Sequence, residues 1–176
     1  MTTPLVSPFR LLVAAACLSM LFVLPSFGGA SKPKPKPVAE HVKLYNEAYD
    51  EIKKLRFASA QNLLEQALKL KPDFAEAHNN LAYTLRKQGE DHYDQALAHY
   101  NKAIELNAKL SEAYMYRGVL HVQMGNDDLA AADLETLSAM KGRAAAKLAA
   151  ELTYVIENGN EKTPEGFFGV AGKKRR

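Results

Sequence analysis

Between residues 41 and 142 the apolar positions recur every three or four residues, the spacing that lays one apolar stripe along an α-helix. Leu81, Ala82 and Leu85 are followed, after a break at Gly89, by Ala96, Leu97, Tyr100, Ala103 and Ile104, which predicts two helices and a turn. Further on, Gly125-Asn126-Asp127 offers a turn glycine and an N-cap ahead of Leu129-Ala130, and Gly142 is placed to end that helix. An earlier pair has Leu55-Arg56 where the others have a glycine, and Pro72-Asp73 closes it. The small residues set the register. Ala48, Ala82 and Gly118 are spaced by 34 and 36, and Ala60, Ala96 and Ala130 by 36 and 34, so a 34-residue unit repeats with one two-residue insertion. The insertion falls at residues 89–93, in a turn, where it leaves helix packing undisturbed. Ala145, Leu148, Ala149, Leu152, Val155 and Ile156 predict a seventh amphipathic helix, ending at Asn158-Gly159.

A 34-residue helix-turn-helix with small residues at the packing points resembles the tetratricopeptide repeat family, whose pattern runs aromatic, Leu, Gly, Tyr, then Ala, aromatic, Ala and Pro. The second unit matches with His78, Leu81, Ala82 and Leu85, then Ala96, Tyr100, Ala103 and Ala108. The third matches with Tyr114, Arg117, Gly118 and His121, then Ala130, Leu134, Leu137 and Gly142. The first departs most, with Glu47 and Glu51 at apolar positions, before Ala60, Leu64, Ala67 and Pro72. The resemblance implies an all-α chain: a right-handed α-solenoid of three helix-turn-helix units, about 41–74, 75–110 and 111–142, plus a C-terminal capping helix over 143–158. The repeat domain is expected over 40–159.

The ends read differently. Arg10 precedes an apolar run at residues 11–24, and Gly28 and Ala30 suit a peptidase, so residues 1–30 are expected to be a secretory signal. The run spans about 21 Å as a helix, short of the roughly 30 Å hydrocarbon core. An uncleaved anchor over 11–27 is the alternative. The expected location is therefore periplasmic or secreted, or else membrane-anchored. Residues 31–39 form a linker around Lys-Pro-Lys-Pro-Lys-Pro, a polyproline II spacer and a candidate contact for an anionic surface. Residues 160–176 lack periodicity and form a basic tail.

Charge and composition narrow the function. The +3 net charge belongs to the ends, because residues 40–160 hold 14 Lys/Arg against 18 Asp/Glu, a poor match to a nucleic acid. The single cysteine, Cys17, lies in the apolar run, so the body has neither disulfide nor thiolate chemistry. Gly166 and Gly172 enclose five residues, not the four of a phosphate loop, and Lys174 stands where that loop needs a hydroxyl. The run Glu90-Asp91-His92-Tyr93-Asp94 reads as a solvated turn at a helix start. No catalytic, cofactor or metal residue is assigned, and the chain is expected not to be an enzyme.

In the family, one arc of each first helix lines the concave side. By the resemblance it holds Tyr45, Tyr49 and Lys53 in the first unit, Asn79, Tyr83, Arg86 and Lys87 in the second, and Met115, Val119 and Val122 in the third. Tyrosines beside cations suit a peptide with apolar and acidic side chains. The chaperone-binding carboxylate clamp of the family is not matched, since its places hold Tyr45, Tyr49, Asn80, Glu112 and Tyr116, of which only Asn80 fits. The expected function is a protein-interaction adaptor of the cell envelope holding a partner segment in this groove. The alternative is a membrane-tethered structural subunit of an envelope complex, and self-association is compatible with both. Phe167-Phe168 in the tail is a candidate occupant of the same groove.

Overall fold

The computed structural model describes residues 37–159. The expected signal segment, most of the Lys-Pro linker and the basic tail with Phe167-Phe168 lie outside the described residues. Seven α-helices follow one another: α1 (Glu40–Lys53), α2 (Phe57–Leu70), α3 (Ala75–Gln88), α4 (Tyr93–Leu106), α5 (Ser111–Gln123), α6 (Asp127–Ala139) and α7 (Arg143–Asn158). There is no strand among the described residues. The chain folds as a right-handed α-solenoid in which α1/α2, α3/α4 and α5/α6 pair and α7 caps the stack against α5 and α6. No described helix is long and apolar enough to cross a membrane.

Small residues let the paired helices approach. Ala48, Ala82, Ala60, Ala96 and Ala130 are fully or almost fully buried, each where a larger side chain would push two backbones apart. Around them Ile52, Leu64, Leu85, Tyr100, Leu120 and Leu137 fill one continuous core. Each such side chain contributes about 1.5–3 kcal/mol by leaving water. Gly118 is the tightest point, since a Cβ there would stand 2.6 Å from Leu152 Cδ2 on α7. The missing side chain is what lets the capping helix seat on α5.

The turns carry two departures from the sequence reading. Gly142 does not end α6, which stops at Ala139; at φ 121° it precedes the first residue of α7 instead. Asn126 occupies the N-cap position of α6, but its side chain makes no capping hydrogen bond. The two-residue insertion forms a short 3₁₀ turn, Glu90–His92, after Gly89 at φ 125°.

Candidate functional site

α3 is the central first helix, flanked by α1 and α5, and its residues decide what the concave side offers. Asn79, Asn80, Tyr83, Thr84 and Arg86 are all buried on it. The Asn79 amide donates to Asn80 Oδ1 at 3.3 Å, and Thr84 Oγ1 donates to the Asn80 carbonyl at 2.7 Å. That leaves Asn79 Oδ1 and Asn80 Nδ2 buried with no hydrogen-bond partner. The Tyr83 ring packs edge-on to Tyr116 of α5 at 5.2 Å and faces Phe57 of α2 at 6.4 Å. The Arg86 guanidinium lies 5.4 Å from the Tyr83 ring centroid and donates through Nη1 to Gln123 Oε1 at 2.9 Å. Its Nε has no acceptor.

Electrostatics follow burial. Loss of solvent raises the Tyr83 hydroxyl above its ordinary value, with the Arg86 charge working against the rise. Burial raises the Tyr100 and Tyr116 hydroxyls too, so all three stay neutral phenols. Lys87 is pushed down, first by desolvation and then by the neighbouring Arg86 charge.

The ten residues expected to line an open groove do not share one environment. Tyr45, Asn79, Tyr83, Arg86, Met115 and Val119 are buried, which corrects the expectation of a freely accessible lining. The cause is reach: in a short stack these side chains span the gap to the next element. Tyr45 packs on Phe74 at 5.0 Å, Tyr83 on Tyr116, and Arg86 bonds to Gln123, while Met115 and Val119 join the core. Tyr49 and Val122 are half-buried, and Lys53 and Lys87 are exposed. Lys53 Nζ lies 6.0 Å from the Tyr49 ring centroid, so this rim pairs cation with aromatic.

Two polar constructions escaped the sequence reading. His78 of α3 and His99 of α4 meet with Nδ1 atoms 2.9 Å apart, while His78 Nε2 donates to the Pro72 carbonyl at 2.9 Å. Their separation of 21 residues gives no periodic signal. Arg117 of α5 grips Asp133 of α6 through Nε at 3.0 Å and through Nη2, and reaches Asn101 of α4 through Nη1 at 2.7 Å. Among the described residues no three His, Cys, Asp or Glu side chains are grouped to hold a metal ion.

Comparison with known proteins follows the same lines. A family model for the tetratricopeptide repeat matches residues 56–89 and 91–125, its break falling at the inserted turn. No curated protein matches the sequence. Among solved structures, PcrH in complex with the chaperone-binding region of PopD is similar at a TM-score of 0.58 and 19% identity, over 68% of this chain and 90% of that one. The type III secretion translocator chaperone SycD of Yersinia enterocolitica is similar at 0.60 and 15%, over 71% and 96%. The Sgt2 TPR domain of Aspergillus fumigatus is similar at 0.54 and 20%, over 73% and 87%. At these identities the likeness is one of fold. Residues 56–89 and 91–125 therefore match as tetratricopeptide repeats.

Proposed function

We propose that the protein is a non-enzymatic adaptor of the cell envelope whose first-helix face takes up a segment of another protein. The observation that carries this reading is the set of unmet polar atoms along α3: Asn79 Oδ1, Asn80 Nδ2 and Arg86 Nε, each buried, the last against the Tyr83 ring. A face built only for packing would be apolar there, because each buried polar atom left unsatisfied costs about 1–3 kcal/mol. A bound segment supplies the missing partners once the side chains covering them, such as Gln123 over Arg86, give way. Tyr49, Lys53, Lys87 and Val122 form the accessible rim from which such a segment is first met. The structure of PcrH holding a region of PopD supports the reading as an example of this fold engaging a partner segment. The envelope placement rests on the signal-like pattern of residues 1–30.

In-cell photo-crosslinking from a reactive analogue at Tyr49 or Val122 tests the proposal, with the adducts and the mature N-terminus identified by mass spectrometry. One dominant adduct to another exported protein is the expected result. Adducts only between copies of the chain, with residues 1–30 retained, would instead make it a membrane-tethered structural subunit.

A further inference from the structure

Four buried side chains among the described residues can carry charge: Arg86, His121, Asp133 and Glu151. Asp133 is gripped by Arg117, and Glu151 lies 3.7 Å from Lys147. His121 stays neutral at little cost, since desolvation lowers its pKa. Arg86 has no such escape, because a guanidinium is charged at any working pH. It is 5% exposed, and no described carboxylate pairs with it. The neighbouring Tyr83 and Tyr116 rings cannot become phenolates, for burial raises both hydroxyls. What Arg86 has instead are neutral groups: the amide oxygen Gln123 Oε1 at 2.9 Å and the buried Tyr100 hydroxyl, on which its charge acts. Lys87 stands next to it on the helix, exposed, also without a described carboxylate partner, so two adjacent cations share one end of α3.

A buried cation answered by an amide, the Tyr83 ring and the Tyr100 hydroxyl, with no described carboxylate, is an expensive arrangement to keep for packing alone. It is a preorganised one for binding. The guanidinium is already desolvated, held against the Tyr83 ring and presented as a planar fork whose Nε is free. Gln123 is the last residue of α5 and only half-buried, so its side chain can swing outward and vacate the acceptor position. A carboxylate arriving there makes charge-assisted bonds about twice as strong as the neutral one it displaces.

We infer that Arg86 is the receptor for a carboxylate carried by the partner segment, which takes the place of the Gln123 amide, with Lys87 drawing the anion in from the rim. This rests on the adaptor reading above and adds the chemistry of its ligand. The carboxylate has two sources, an Asp or Glu side chain or a free C-terminus.

The test is a synthetic array of short random peptides, made once with free and once with amidated C-termini, probed with the isolated full chain. Bound peptides are expected to be enriched in Asp or Glu at a fixed position, or to require the free C-terminus. Arg86→Gln should weaken those peptides at least about tenfold without lowering the thermal midpoint, since it removes an unpaired buried charge. Arg86→Lys, which keeps the charge and loses the fork, should fall between the two. Gln123→Glu should raise the midpoint and also weaken the peptides, because it supplies the carboxylate internally. Peptides bound with no preference for a carboxylate overturn the inference and leave the adaptor reading standing; no bound peptide at all overturns both. An Arg86→Gln protein that melts earlier and binds within about twofold of wild type makes Arg86 a packing residue and ends the proposal.

Discussion

Leu55 shows how a single residue departs from the rule of its own repeat. After α1, the Leu55 amide bonds to the Ile52 carbonyl at 2.9 Å and the Arg56 amide to the Glu51 carbonyl at 2.9 Å. After α5, Gly125 bonds to Val122 at 3.1 Å and Asn126 to His121 at 2.8 Å. Both are the same helix-ending motif, which requires a left-handed residue at its centre. Gly125 meets that requirement at φ 72°, whereas Leu55 adopts φ 59° with a side chain that disfavours it and leaves it 71% exposed. The left-handed region costs a non-glycine residue about 1–2 kcal/mol, offset in part by glycine's greater freedom in the unfolded chain. Leu55→Gly is therefore expected to stabilise the fold by about 0.5–1 kcal/mol, read as a shift of the urea midpoint at unchanged slope. A loss of stability would mean that Leu55 packs on something the described residues do not include.

Between elements, the His78–His99 contact ties α3 to α4 and, through Pro72, to the end of α2. A carbonyl only accepts, so His78 Nε2 carries the hydrogen and His78 Nδ1 is left as the acceptor for the His99 N–H. Desolvation pushes His99 below the ordinary 6.5, the His78 charge pushes the same way, and Glu65 opposes both. Desolvation lowers His121 as well. A base with a folded pKa below its unfolded value binds more protons unfolded. Its contribution is complete above about pH 6.5 and is lost as pH falls through the folded value. Urea midpoints are expected to drop between about pH 7.5 and about pH 5, and the drop should be shallower in His99→Gln. An unchanged slope in that variant would remove the pair from the pH response. The junction of α5 with α7 makes a second test between elements. Leu152→Ala should cost about 2–5 kcal/mol. Gly118→Ala should be unfavourable in the wild type, where its Cβ strikes Leu152, and favourable in Leu152→Ala, where helix propensity alone acts. Additive effects would show that α7 shifts to accept the methyl group.

At the scale of the molecule, the all-α repeat was legible because its cause is local and recurrent. Ala48, Ala82 and Gly118 must be small for every pair to close, so the 34-residue period and the inserted turn stand out in the chain itself. The candidate site was legible in direction and not in depth. Periodicity places Tyr45, Arg86 and Val119 on one arc, but whether they meet solvent depends on Phe74, Gln123 and the neighbouring helices, which no spacing encodes. The Arg117–Asp133 clasp and the histidine pair were invisible for a related reason: each joins residues of different helices, chosen by the way the helices pack.

The seat of Leu152 on Gly118 also bears on how many units stack among the described residues. A stack of like helix pairs contains no instruction to stop, because the face that α6 and α5 present is the kind of face on which one more pair would sit. α7 answers it with its apolar side, Ala145, Ala149, Leu152 and Val155, and turns Ala146, Lys147, Ala150 and Glu157 outward. It is a terminator, and growth ends where its outer side is polar enough not to recruit another helix. Ending the chain after Ala139 is expected to leave α5 and α6 folded onto the preceding pairs but sticky, with oligomers growing with concentration in sedimentation velocity. A truncated chain that stayed monomeric and equally stable would mean that the count of three is kept by the pairs themselves.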